Sequence, residues 1–181
     1  MKTVFEAFPA TLEARWRELH EARAGLLESV ESRPSAAGAA LESGQWSVVE
    51  IVYHLYLVEK GTVRLLRKRL AAGERHEPAT DERLRAEWER VRSLVATRSA
   101  KADAPTFVVP NAAPALGEGL ELLQQSRQSL VDLVGGATYP DLVSISAAHP
   151  FETVGLLTGA GWLSLVAAHE ERHAQQIELL H

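Results

Sequence analysis

Two histidines four residues apart near the C-terminus are the side chains in this sequence best placed to do chemistry. On a helix, His169 and His173 would lie one turn apart on the same face. Two imidazoles with this spacing can converge on one metal ion. The run 169–173 also matches the HExxH string of zinc proteases, but nothing else in the sequence supports that reading.

A third histidine, His54, falls on the inward face of a separate predicted helix. His169 and His173 also lie on an apolar stripe, and buried imidazoles cost free energy unless each ring finds a partner. That partner could be one shared ion or, for each ring separately, a backbone group or water. Taken together, the three rings favour a metal site over three independently satisfied histidines.

Three histidine ligands would leave positions on the ion open, which is typical of catalytic sites rather than closed structural ones. Zinc is the first expectation because imidazole suits it, and nickel, iron and manganese also accept imidazole ligands. Such an ion turns water into a nucleophile near neutral pH, and it could equally activate the thiol of a cosubstrate. The expected chemistry is therefore hydrolysis or thiol transfer on a small-molecule substrate.

Glu50 and His149 are the candidate catalytic residues beyond these three. Glu50 lies one turn before His54 and could act as a general base or orient a ligand, although a helix-capping role is favoured. His149 could approach the site where the chain enters the last helix, or it could be an ordinary loop histidine. Gln176, one turn beyond His173, could orient a ligand or simply fill space. No role is assigned to the remaining histidines, which are His20, His76 and His181.

Four long amphipathic segments must position these residues. Apolar side chains recur every three to four residues over about 11–30, 47–73, 116–134 and 158–180, which predicts helices. The inward stripe of the second segment is expected to include Ile51, Val58 and Leu65. No strand pattern of comparable length is present, so the sequence predicts an all-α four-helix bundle.

Local signals mark several helix ends. Ser47 and Glu50 predict a capping box at the start of the second helix, which should end near Gly73. The Gly135-Gly136 pair is expected to cap the third helix, and Thr158 the last. Residues 81–100 predict a shorter accessory helix. The connections 32–44, 74–80 and 101–114 are expected to be loops, and 137–157 to be irregular; long loops often cover a site at one end of a bundle.

Composition narrows the function classes. The 181 residues are expected to form one domain, 1–181, and the absence of cysteine excludes disulfides and thiolate ligands. The formal charge of -5 and the lack of a basic stripe argue against a nucleic-acid partner. No signal peptide or run of about 20 apolar residues is present, so we expect no membrane association and a cytoplasmic location. The densest basic cluster is interpreted as a solvated helix end; it comprises Arg64, Arg67, Lys68 and Arg69.

Several of these motifs together resemble the DinB/YfiT-like family of helical bundles. Trp46-Ser47 followed by His54-Leu55 is similar to the opening of the second helix in that family. The signature of its last helix is resembled by a longer set of motifs: His149-Pro150, Gly155-Leu156-Leu157-Thr158, Trp162-Leu163 and His169-Glu170-Glu171-Arg172-His173-Ala174-Gln175-Gln176-Ile177. One departure is the pair Gly159 and Gly161, which weakens the start of that helix.

The resemblance implies a four-helix bundle, a homodimer, and a zinc or nickel ion held by His54, His169 and His173. It also implies a metal-dependent hydrolase, or a thiol transferase that uses mycothiol, bacillithiol or glutathione. A metal-dependent enzyme is therefore the leading hypothesis. The alternatives are a non-catalytic, stress-related metal-binding bundle of the same fold and a metal-free helical interaction module.

Overall fold

The computed structural model describes residues 10–33, 45–96 and 104–180. Across these ranges the chain is mostly helical, with one short antiparallel pair of strands. Its elements are α1 (Ala10–Glu31), α2 (Val48–Ala72), α3 (Asp81–Ala96), a 3-10 helix (Thr106–Val108), α4 (Leu116–Gly136), α5 (Tyr139–Ser144), β1 (Ser146–Ala148), β2 (Leu156–Thr158) and α6 (Gly159–Glu178).

Four of these helices, α1, α2, α4 and α6, form a bundle, which confirms the all-α class and the four-helix architecture. α1 packs along α6, and α2 packs along α4. Arg23 contacts Glu170, and ten residues later in both segments, just beyond the helix ends, Arg33 donates to the carbonyl of Leu180, so α1 and α6 run in the same direction.

The α2–α4 pair is also parallel, and it runs opposite to the first pair. Val52 lies beside Gly119, and seven residues later on both helices Glu59 accepts a hydrogen bond from Ser126. Arg23 of α1 contacts Glu59, whereas Leu26, further along α1, lies in the same apolar cluster as residues near the start of α2. Because parallel neighbours cannot be joined by a short turn, the chain needs the long connection 73–115 between α2 and α4.

The predicted helix ends are largely confirmed. Ser47 and Glu50 form a reciprocal capping box on α2, and Gly73 ends that helix with a φ of 72°. Thr158 caps α6 by accepting a hydrogen bond from the Gly161 N–H. The prediction for α4 was wrong in detail: the Gly135-Gly136 pair continues the helix, and Ala137 follows it in an extended conformation.

Three other expectations need correction or lie beyond what the structure describes. Residues 137–157 are not simply irregular, because they contain α5, β1 and the first two residues of β2, which are too short to show a periodic sequence signal. The inward stripe of α2 passes through Glu59 and Leu66, which are buried, rather than through Val58 and Leu65, which are half-buried. The predicted loop at 34–44 and the predicted end of the accessory helix at 97–100 lie outside the described residues.

Helix α3 lies along α6 and holds its first turn. The Glu87 carboxylate, which is 8% exposed, accepts hydrogen bonds from the Thr158 N–H at 2.9 Å and from the Thr158 hydroxyl at 2.6 Å. A Cβ on Gly161 would lie 2.4 Å from Glu87 Oε2, and one on Gly159 would lie 2.7 Å from the carbonyl oxygen of Leu142. Close packing therefore explains the two glycines that weaken this helix start. No helix in the described part of the chain is both long enough and apolar enough to cross a bilayer.

Replacing Gly161 with Ala should destabilise the fold by about 1–3 kcal/mol, because the new methyl group would displace the buried Glu87 carboxylate from its two hydrogen bonds to Thr158. Chemical denaturation of the variant and the parent protein would measure the difference. The matched control is Gly61→Ala on α2, where a Cβ meets nothing within 4 Å and stability should rise by about 0.5–1 kcal/mol. Equal stability of Gly161→Ala and the parent would show that this contact is not tight.

Candidate metal centre

The fold brings the three histidines singled out in the sequence together inside the bundle. His54 projects from α2, two turns after its capping box, and His169 and His173 project from α6. Nε2 of His169 lies 3.4 Å from Nε2 of His54 and 3.2 Å from Nε2 of His173. All three candidate ligand atoms lie within 4.8 Å of one another. The three side chains can therefore reach one common point.

These separations suit a metal ion. Two nitrogens bound to a tetrahedral ion at about 2.0–2.1 Å would lie about 3.3 Å apart. The observed Nε2 separations of 3.4 and 3.2 Å match that spacing. Among the residues that the structure describes, no carboxylate joins this group, so the donors are three neutral imidazoles. The residues present therefore fit a divalent ion with coordination positions left open.

The outer nitrogens of two rings are held in the tautomer that metal binding requires. His54 Nδ1 lies 2.7 Å from the carbonyl oxygen of Val108, which can only accept, so this nitrogen carries the proton. His173 Nδ1 lies 2.9 Å from the side-chain oxygen of Gln176 and donates in the same way. Both Nε2 atoms are left with a free lone pair, as in histidines whose outer nitrogen is oriented by a hydrogen bond.

His169 completes the group and is the least satisfied of the three rings. Its Nδ1 is buried and has no hydrogen-bond partner among the described residues. Its Nε2 faces the lone pairs of His54 and His173. If His169 presents a third lone pair, the repulsion between the three nitrogens is relieved by a cation placed among them.

Burial keeps the rings uncharged. Loss of water contact lowers the pKa of His54 to about 4 and that of His173 to about 3. The pKa of His169 falls well below its ordinary value for the same reason, and the neighbouring rings lower it further. The positive charge of Arg172 contributes to all three shifts. All three rings are therefore neutral at neutral pH, and each can offer one nitrogen lone pair to a metal.

Trp46, immediately before the capping box, packs against the rings. Its ring centroid lies 4.5 Å from that of His54 and 6.4 Å from that of His173, with planes tilted by 45° and 23°. The segment 104–114 approaches as well, through the Val108 carbonyl. One of the long loops therefore reaches the histidines through a backbone carbonyl; that it covers the site stays a prediction.

The two candidate catalytic residues lie in different settings. Glu50 Oε2 accepts hydrogen bonds from the Ser47 N–H and hydroxyl, both at 2.8 Å, so its carboxylate makes the capping box. His149 begins the turn between β1 and β2; its Nδ1 accepts from the Phe151 N–H at 3.1 Å, and its ring packs 5.6 Å from Trp162. Glu50 has no described interaction with the three histidines, whereas His149 lies near enough to His169 to contribute to the lowering of its pKa. A catalytic role for either stays a prediction.

Sequence reasoning missed a buried group of charges next to this site. Arg23, Glu59, Arg127 and Glu170, called the ionic layer below, come one from each bundle helix and are between 1% and 8% exposed. Glu170, the glutamate of the HExxH string, is bound by both arginines and does not face the histidines, which agrees with rejecting the protease reading. The sequence did contain a signal for this group: on each bundle helix, one charged residue stands at a position of the inward stripe where the helical period calls for an apolar side chain.

The comparisons with known proteins agree with this architecture. The family model described as the DinB superfamily matches residues 11–177. The solved structure described as TT2238, a four-helix bundle protein, is 25% identical in sequence with a TM-score of 0.56; the similarity covers 91% of this chain and 96% of that one. No curated protein matches the sequence.

Replacing His169 with Ala should abolish stoichiometric metal, because His169 Nε2 is the atom that lies close to both other ligand nitrogens. Metal analysis of protein purified without added metal or chelator would show this. His76→Ala is the control, because the exposed His76 lies in the loop after α2, whose end at Ala72 is about 27 Å along the helix axis from His54, and it should retain the parent metal content. Undiminished metal in His169→Ala would place the ion elsewhere.

The metal-free protein should lose stability as the pH falls from about 6.5 towards 4. Folding lowers the pKa of His54 to about 4. In this pH window the unfolded chain therefore binds protons at the histidines that the folded chain does not bind, and this favours unfolding. Each ring contributes at most about 1.4 kcal/mol per pH unit. Denaturation of the chelator-treated protein at several pH values would measure the slope, and His54→Leu should flatten it. An identical slope in parent and variant would contradict the expected protonation state.

Proposed function

This chain belongs to the DinB superfamily, and we propose that it is a metal-dependent enzyme in which His54, His169 and His173 hold one divalent ion. The convergence of three neutral imidazoles, with His169 Nε2 at 3.4 and 3.2 Å from the Nε2 atoms of His54 and His173, is the observation that carries the proposal. A set of three histidine ligands leaves room on the ion for a reactant, as catalytic sites do.

Zinc is the first candidate for the ion and nickel the second. Imidazole nitrogens suit both metals, and iron and manganese also accept such ligands. When bound, the ion would supply the Lewis acidity that makes water, or a low-molecular-weight thiol, a nucleophile near neutral pH. The proposed reactions are accordingly hydrolysis of a small molecule and transfer of a thiol to an electrophile.

The chain's own groups prepare the site in three ways. The Val108 carbonyl and the Gln176 side chain hold the outer protons of His54 and His173, so that the inner lone pairs stay directed at one point. Trp46 places an apolar ring against two of the imidazoles and excludes water from that side. Burial keeps the rings neutral, so protons do not compete with the metal at pH 7.

Metal-loaded protein should turn over substrates in one of two parallel screens, and His169→Ala should lose that activity. One screen offers esters and amides with water as the nucleophile; the other offers thiols with electrophilic acceptors. Activity in the first assigns a hydrolase and activity in the second a thiol transferase. His76→Ala, which changes an exposed histidine in the loop after α2, is the matched control and should keep full activity.

The non-catalytic alternative predicts a different result. A metal that serves only the fold would give no turnover in either screen and a large loss of stability when a chelator removes it. Stoichiometric metal combined with that pair of results would overturn the enzymatic proposal while leaving the metal site in place.

A further inference from the structure

In the ionic layer, the negative charges lie on the helices that carry the three histidines and the positive charges lie on the other two bundle helices. The two helices that carry the histidines contribute the glutamates, Glu59 on α2 and Glu170 on α6. The two helices without histidine ligands contribute the arginines, Arg23 on α1 and Arg127 on α4. Each ligand-bearing helix is therefore held by both of its neighbours through one carboxylate.

The four side chains form a closed ring of hydrogen-bonded ion pairs. Arg23 Nη2 lies 2.5 Å from Glu170 Oε1 and 3.0 Å from Glu59 Oε2. Arg127 donates through Nε to Glu59 at 2.6 Å and through Nη2 to both oxygens of Glu170 at 2.9 and 3.0 Å. The Ser126 hydroxyl adds a further bond to Glu59 at 2.5 Å. Two positive and two negative charges leave the ring electrically balanced.

The arginines are also fixed to the backbone, in a reciprocal way. Arg23 Nη1 donates to the carbonyl of Leu123 at 3.0 Å, and Arg127 Nη1 donates to the carbonyl of Leu19 at 2.8 Å. Each carbonyl lies four residues before the other arginine on its helix. Every member of the ring is thus held from more than one direction, which restricts sliding and rotation of the helices.

The ionic layer lies next to the histidines along both α2 and α6. Glu170 directly follows His169, so the two side chains are separated by about 100° of rotation and about 1.5 Å along the helix axis. At a side-chain radius of about 6 Å, a 10° rotation of α6 would move an imidazole tip by about 1 Å. Metal–ligand distances tolerate only about 0.2 Å. Glu59, five residues after His54, constrains α2 about 7.5 Å along its axis from that histidine.

We propose that the ionic layer sets the rotation of α2 and α6 and thereby holds the three Nε2 atoms at the separation that one metal ion requires. Glu59 and Glu170 are then positioning residues of the metal centre rather than ligands or catalytic groups. This inference rests on the proposed function, because it presupposes that the three histidines bind an ion. Replacing a buried ion network with apolar side chains is often neutral for stability. We therefore assign the ionic layer a role in fixing how the helices are arranged rather than in stabilising the fold.

The test is a Co²⁺ titration of Glu170→Gln, followed through the visible absorption of the bound ion. The substitution keeps the shape of the side chain and removes its charge, so α6 should lose its fixed rotation. We expect Co²⁺ affinity to fall about tenfold or more, the range seen when groups that orient metal ligands are removed. The absorption bands should also shift or weaken, because the coordination geometry is no longer held.

Glu87→Gln is the matched control. Glu87 is also a buried carboxylate bonded to α6, but it contacts Thr158 at the start of the helix, about 15 Å along the axis from His169. It should lower the thermal stability yet leave the affinity and the spectrum of bound Co²⁺ unchanged. A general loss of stability would affect both variants alike, and only a positioning role separates them.

Two milder variants keep the test decisive if Glu170→Gln does not fold. Arg127→Lys retains the charge but loses the forked contacts with both glutamates, and Ser126→Ala removes one bond to Glu59. Both should weaken Co²⁺ binding in folded protein, the first more than the second. Parent-like affinity and spectrum in the folded variants would overturn the inference alone, whereas a parent protein that binds no Co²⁺ would overturn the proposed function with it.

Discussion

The interior of this bundle carries polar side chains at two neighbouring levels, and each must find a partner because a buried unpaired polar or charged group costs several kcal/mol. At one level, two arginines and two glutamates satisfy one another in a closed ring. At the next, His54, His169 and His173 satisfy their outer nitrogens only in part and leave their inner nitrogens facing one another. The protein alone satisfies the first level, whereas in our proposal a metal ion completes the second.

Helix direction explains how a chain with long connections builds such a site. Because α2 and α4 are parallel, the connection between them must travel the length of the bundle, and part of it, the 104–114 segment, returns to the histidines. There the Val108 carbonyl accepts the outer proton of His54. The long connection thus supplies the carbonyl that orients His54, a candidate metal ligand.

The start of α6 is closely packed against α3. Thr158, Glu87 and Gly161 fit together so closely that a methyl group on Gly161 has no room. Low helix propensity at this point is offset by a buried carboxylate that satisfies the first turn and holds α6 against α3. Helix α6 is therefore held at its start by Glu87 and, close to its histidines, by Glu170.

The sequence by itself determined the features that rest on short-range chemistry. Apolar periodicity marked the four bundle helices, Ser47 and Glu50 marked the start of α2, and helix spacing placed His169 and His173 on one face. Tertiary structure alone decided which helices run parallel, which carbonyl orients His54, and that Glu59 rather than Val58 points inward. The physical reason is that a charge is accepted inside only when distant residues neutralise it, and no local pattern shows that Arg23 and Arg127 lie opposite Glu59 and Glu170.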